Sequence, residues 1–210
     1  MRLLIFDYDG VLADTFADML KFAQETCDEL GVTHTVIPSD LRDLEVMSFT
    51  TFGHACGVPE ELTGEFARRC TRKFAKKIAP PAVFDGLAEV VRRLAEENLL
   101  LIVTGNTAGN VNAFLRHHGL LDCFRMVYGV DMPGSKLEKI QLAQKQFGAG
   151  SEPVYFVGDS LSDLRAAREA GVRSVAVSWG HQSLDVLIRG KPDAIAHSPA
   201  ELYAILETGG

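Results

Sequence analysis

Two carboxylates, Asp7 and Asp9, follow a short apolar run in the segment Leu3-Leu4-Ile5-Phe6-Asp7-Tyr8-Asp9-Gly10-Val11-Leu12-Ala13-Asp14-Thr15. Acids that leave the carboxyl end of a buried strand enter the crevice where open α/β sheets bind ligands. Strand pleating has period two, so both side chains would point the same way if the strand continued, and their charges would repel unless a cation neutralised them. The pair therefore asks for a metal. Asp-x-Asp-Gly is also what a plain turn after a strand would use, so the reading depends on what else the chain supplies.

Three further segments could share that edge. Val103-Thr104-Gly105-Asn106 ends an apolar run, Lys136 opens a helical pattern after Pro133-Gly134-Ser135, and Gly158-Asp159-Ser160-Leu161-Ser162-Asp163 follows another apolar run. Gly105 permits close approach of an anion to the backbone, although Gly-Asn is equally a turn dipeptide. Asp159 could be a helix cap instead of a ligand, but its coincidence with Asp7 and Asp9 favours metal binding.

The elements needed to position these residues are legible. Strands are expected at Leu3–Phe6, Leu99–Val103, Met126–Tyr128, Val154–Val157 and Ser174–Val177, with helices at Gly86–Glu97, Ala108–His117, Lys136–Phe147 and Ser162–Ala170. Strand–helix alternation of this kind implies an α/β fold with a doubly wound, mostly parallel sheet. A βα crossover needs only about 30 residues, yet the first two strands are separated by far more, and the surplus must fold on its own. Helical signals fill it at Thr15–Leu30, at Ser39–Ser48 with Ser39 as N-cap, and at Glu60–Ile78 after Pro59, ending at Pro80-Pro81.

The Asp-x-Asp-Gly-Val-Leu-x-Asp-Thr run and the three ordered segments after it resemble the four motifs of the haloacid dehalogenase-like hydrolase superfamily. The resemblance extends through the Trp179-Gly180-His181 loop and the Pro192-Asp193-Ala194-Ile195 strand, and leaves out only about residues 31 to 80. It implies a catalytic core of residues 1–15 and 82–210, with residues 16–81 as an inserted α-helical cap. Such caps are similar to those of the subgroup that includes phosphoglycolate phosphatases and β-phosphoglucomutases.

By the same resemblance Asp7 is the nucleophile that forms an aspartyl-phosphate, and Asp9 is the general acid and base. Its carboxylate separates the chain from the dehalogenase branch. Thr104, the Gly105 amide and Asn106 would bind phosphoryl oxygens. Lys136 would offset charge on Asp7 and the phosphate, although Leu137 stands where many relatives have Pro, and Lys139 is a rival. Mg2+ would be held by Asp7, Asp159 and the Asp9 carbonyl, with Asp163 acting through a water or by holding Lys136. The implied activity is phosphatase action on a small phosphorylated metabolite, phosphoglycolate-like or a sugar phosphate; a phosphomutase and a binding protein without turnover are the alternatives.

Composition narrows the field. The 210 residues, 47% of them hydrophobic, suit a core with an insert, and a net charge of −7 argues against nucleic acid. Cys27, Cys56, Cys70 and Cys123 form no Cys-x-x-Cys pair and no cluster with His, so they read as core thiols. No apolar run approaches spanning length, and a cytoplasmic monomer or homodimer without membrane contact is expected. Arg68, Arg69, Arg72, Lys73, Lys76 and Lys77 form a basic stripe beside the apolar Phe66, Cys70, Phe74 and Ile78, as on an ordinary amphipathic helix with a solvated face. The scattered histidines read as surface or loop residues, with His181 placed nearest the expected site.

Overall fold

Leu3, Leu4, Ile5 and Phe6 are all buried because the strand they form is covered on both faces. The computed structural model describes residues 1–77, 79–148 and 152–208. The chain runs β1 (Leu3–Phe6), β2 (Ala13–Asp14), α1 (Phe16–Glu29), α2 (Pro38–Arg42), α3 (Phe49–Ala55), α4 (Glu60–Ala75) and β3 (Ala82–Val83). It continues through α5 (Leu87–Glu97), β4 (Leu99–Val103), α6 (Ala108–His117), β5 (Phe124–Tyr128), α7 (Lys136–Phe147), β6 (Val154–Gly158) and α8 (Leu161–Ala170). It closes with β7 (Arg173–Val177), α9 (Leu184–Arg189), β8 (Ala194–Ala196) and α10 (Pro199–Thr208).

Six parallel strands form one sheet in the order β5-β4-β1-β6-β7-β8. Alternation along β1 divides the core: Leu4 and Phe6 pack with Val91 and Leu94 of α5, Phe114 of α6 and Leu202 of α10. Leu3 and Ile5 pack on the opposite face with Ile140 and Ala143 of α7 and Ala167 of α8. Two-residue periodicity thus yields the doubly wound α/β architecture. Because β1 pairs in register with both β4 and β6, the residues that follow these three strands emerge side by side.

Helices α1 to α4 lie between β2 and β3, which pair antiparallel, Ala13 opposite Val83 and Asp14 opposite Ala82. Their apolar faces close on one another: Ala23, Cys27, Leu41, Phe52, Cys56, Phe66 and Cys70 form a separate buried cluster. Phe66 meets Phe52 edge-on at 6.3 Å between ring centroids. A Cβ at Gly53 would stand 3.0 Å from the Phe66 ring, which explains a glycine inside α3. A second tie to the sheet comes from the loop after β7. There Gln182 Nε2 donates to the Leu44 carbonyl, and the Ser183 N–H donates to the Arg42 carbonyl at 2.9 Å.

The insert is also where the sequence reading needs correction. The expected helix over Ser39–Ser48 is the five-residue α2, with Pro38 as its first residue. Ser39 lies inside it, and the Asp40 carboxylate reaches back to accept from the Ile37 N–H at 2.8 Å. Ser48 instead caps the unanticipated α3, accepting from Thr51 N–H at 3.1 Å. The Glu60–Ile78 helix ends at Ala75, and Ile78 lies outside the described residues. Cys56 sits within 4.8 Å of ligand atoms of His34 and Asp40, so folding creates a Cys–His neighbourhood that spacing along the chain does not reveal. On the basic stripe, Arg69 and Lys73 pair with Glu29, Lys73 also with Glu25, and Arg68 with Glu65, as on a solvated face.

The central place of Phe66 in the insert cluster makes it a probe of that cluster. Phe66→Ala is expected to lower stability by roughly 3–5 kcal/mol in urea unfolding, and a loss below about 1 kcal/mol would mean that the cluster unfolds separately from the sheet.

Candidate active site

Asp7 is the first residue past β1, still held in the ladder by its N–H to the Val157 carbonyl at 2.8 Å. The chain then turns tightly, with the Leu12 and Ala13 N–H groups donating to the Tyr8 carbonyl at 2.9 and 3.0 Å. Gly10 makes this turn possible at φ +76, in the left-handed region that glycine tolerates. A Cβ there would lie 2.0 Å from Asp159 Oδ2. Gly180 is required for the same reason from the other side, since its Cβ would lie 2.3 Å from that of Asp159.

Asp159 follows β6, and Ser160 rather than Asp159 caps α8, in a reciprocal box with Asp163. Asp163 is fully buried. Its Oδ2 accepts from the N–H groups of Asp159 and Ser160 at 3.2 and 3.1 Å and from Ser160 Oγ at 2.7 Å. Its Oδ1 takes Lys136 Nζ at 2.5 Å. Lys136 opens α7 behind the Ser135 cap and also lies 3.0 Å from Asp7 Oδ2. Burial works against its charge, but Asp163 and Asp7 outweigh that and hold its pKa well above the usual range. Lys139 points away and donates to the Gly129 carbonyl at 2.9 Å, so of the two lysines only Lys136 reaches the acids.

Ligand oxygens of Asp7, Asp159 and Asp163 lie within 4.8 Å of one another. Burial pushes the Asp7 carboxyl upward; Lys136 lowers it, and the charges of Asp163 and Asp159 raise it again. Asp7 Oδ1 has no hydrogen-bond partner among the described residues. An orphaned buried carboxylate oxygen in a set of hard oxygen donors fits a cation such as Mg2+.

Asp9 stands in a different environment. Its Oδ2 accepts from Asn106 Nδ2 at 3.2 Å. Burial raises its pKa, while the Asn106 bond and the His181 charge act against the rise. Asn106 is positioned in turn: its N–H donates to Thr104 Oγ1 at 3.0 Å, and its Oδ1 accepts from the Thr107 N–H at 2.9 Å. Thr104, at the end of β4, is buried, with Gly105 beside it on the same cavity. All eight residues expected at the site from the sequence therefore meet at one sheet edge.

Residues 4–177 match the family described as haloacid dehalogenase-like hydrolase. The chain belongs to that family. Along almost its whole length it is similar to phosphatases: a phosphoglycolate phosphatase of Synechococcus elongatus is 28% identical over 206 residues, covering 96% of this chain and 95% of the relative. An N-acetylmuramic acid 6-phosphate phosphatase of Pseudomonas putida is 28% identical over 220 residues, covering 99% and 97%. A haloacid dehalogenase-like hydrolase from Streptococcus pneumoniae has the same fold, with a TM-score of 0.84 at 24% identity over 98% of both chains. Within the family this hydrolase falls with the phosphoglycolate phosphatase-like phosphatases.

His181 is the residue that sequence reasoning undervalued. It lies in a loop, as expected, but is buried rather than at the surface. Its Nδ1 lies 2.9 Å from Asp159 Oδ2, which also accepts from the His181 N–H at 2.7 Å, and its Nε2 lies 3.0 Å from Thr15 Oγ1. Burial alone would lower its pKa, yet Asp159, Asp9 and Asp7 together raise it. Phe16 of α1 stacks on the ring, and Arg42 lies over Phe16 at 4.4 Å, so the imidazole joins the acid cluster to the helical insert. The only signal in the sequence was the position of its loop after β7.

Gly10 packs against the Asp159 carboxylate so closely that Gly10→Ala is expected to cost roughly 1–3 kcal/mol through overpacking alone, read from urea unfolding. An unchanged midpoint would mean that the turn relaxes without disturbing Asp159.

Proposed function

We propose that this hydrolase is a Mg2+-dependent phosphatase that cleaves small phosphate monoesters through an aspartyl-phosphate on Asp7. The observation that carries the reading is the contrast between two carboxylates on one cavity. Asp7 lies against Lys136 with one oxygen unpartnered, and Asp9 accepts from the neutral amide of Asn106. An acid set against an ammonium group with one oxygen left unpartnered suits a nucleophile, and an acid that accepts from a neutral amide suits a proton donor.

In the first step an Asp7 oxygen attacks phosphorus, the P–O bond to the leaving alcohol breaks, and Asp9 gives that oxygen its proton. In the second step Asp9 takes a proton from water, whose oxygen attacks phosphorus and releases Asp7 and inorganic phosphate. Thr104 Oγ and the Gly105 and Asn106 region stand where phosphoryl oxygens would be bound, and Lys136 offsets negative charge on Asp7 and the transferring group. Asp163, whose oxygens are taken up by Lys136 and by backbone and Ser160 donors, acts as the positioning residue for Lys136. Mg2+, held by Asp7, Asp159 and the Asp9 carbonyl, would neutralise phosphoryl charge when bound.

Residues 16–81 act as a cap over this edge. They are hinged where β2 pairs with β3 and held at the far rim by Gln182 and Ser183. A closed cap excludes bulk water, and its lining selects the leaving group.

Phosphate release from p-nitrophenyl phosphate is expected to require Mg2+ and to stop when the metal is chelated. Asp7→Asn should abolish it, and Asp9→Asn should lower kcat by about 10²–10⁴. Turnover that survives in Asp7→Asn would refute the aspartyl-phosphate route.

A further inference from the structure

The cavity that begins at Asp7 and Asp9 continues under the helical insert to a volume of about 760 Å³. Cavities of roughly 300–1,000 Å³ bury ligands much larger than a two-carbon acid. Away from the acids its wall is largely apolar, lined by Met19, Met47, Phe49, Phe74 and Pro81 from the insert and by Val130 from the core.

Charge on the lining follows the same pattern. Among the described lining residues the carboxylates are Asp7, Asp9, Asp18 and Asp159, and the ammonium groups are Lys77 and Lys136. Lys136 is held between Asp7 and Asp163, and Lys77 donates to Asp18. Of the two lining histidines, His181 is bonded to Asp159 and Thr15, and His117 is exposed. A second anion on the substrate, beyond the phosphoryl group, would therefore be desolvated against apolar side chains without an uncommitted lysine or arginine.

We propose that the leaving group accepted by this site is a neutral, ring-bearing alcohol seated against Met47, Phe49 and Phe74, and not a short carboxylate such as glycolate. The proposal rests on the phosphatase reading above and narrows its substrate class. The phosphate would sit at the sheet edge, and the ring would fill the apolar chamber below α3 and α4.

The test is kcat/KM with Mg2+ for three esters of primary alcohols: ethyl phosphate, cyclohexylmethyl phosphate and 2-phosphoglycolate. The ring ester is expected to exceed ethyl phosphate by at least tenfold, with 2-phosphoglycolate below both. Phe49→Ala and Phe74→Ala should lower the value for the ring ester more than for ethyl phosphate. Met47→Arg, which adds a cation to the chamber, should raise 2-phosphoglycolate relative to ethyl phosphate, a gain that damaged folding would not produce. Equal values for the ring ester and ethyl phosphate, or a tenfold preference for 2-phosphoglycolate in the unaltered protein, would overturn the proposal while leaving the phosphatase intact. Release from none of the three or from p-nitrophenyl phosphate would overturn the phosphatase reading, and this proposal with it.

Discussion

The structure is organised around the burial of carboxylates at one point. Asp7, Asp159 and Asp163 crowd within ligand distance of one another, against both desolvation and mutual repulsion, and one ammonium group, Lys136, is shared between two of them. An isolated buried acid would simply take up a proton. Keeping several ionisable together requires donors at fixed positions, which explains why Asp163 spends one oxygen on Ser160 and two backbone amides. The same crowding removes room for side chains at Gly10 and Gly180. The parallel sheet makes the arrangement possible, because it delivers the ends of β1, β4 and β6 to one edge without any of them having to bend.

The helical insert balances this polar centre with an apolar counterpart. Its own core is separate from the two that flank the sheet. It meets the rest of the molecule through β2 and β3, the stack of His181 on Phe16, and the bonds from Gln182 and Ser183 to residues 42–44. Polar ties at the rim and a mostly apolar roof between them leave a chamber whose floor carries the acid cluster and whose insert side carries one ion pair, Asp18 with Lys77.

Most of the sheet was legible in the sequence because buried parallel strands are continuous apolar runs, and β1, β4, α6 and α7 begin and end where the residue pattern places them. The acids were legible for a related reason: they directly follow those runs. What could not be read were relations between distant parts of the chain. Asn106 looks like a turn residue until its amide is seen to reach Asp9, 97 positions away. His181 looks like a surface loop residue until Thr15 and Asp159 close on its two nitrogens. Lys136 and Lys139 differ only in which side of α7 they occupy. In the insert, Ser39 resembles a cap, but Pro38 already suits the first helical turn and Asp40 supplies the missing acceptor. Gly53 discourages a helix at α3, and only the Phe66 ring beside it accounts for its presence.

One feature of the sheet bears on how the protein comes to exist at all. β1 lies in the middle of the strand order, and its two neighbours begin at Leu99 and Val154. During synthesis the first strand therefore waits, apolar on both faces, until most of the chain has emerged, whereas α1 to α4 can collapse on contacts within their own stretch. Non-local pairing of this kind slows folding and lengthens exposure of unpaired strand edges. The acid cluster, assembled from residues 7, 136, 159 and 163, cannot close until β6 and the start of α8 have been made.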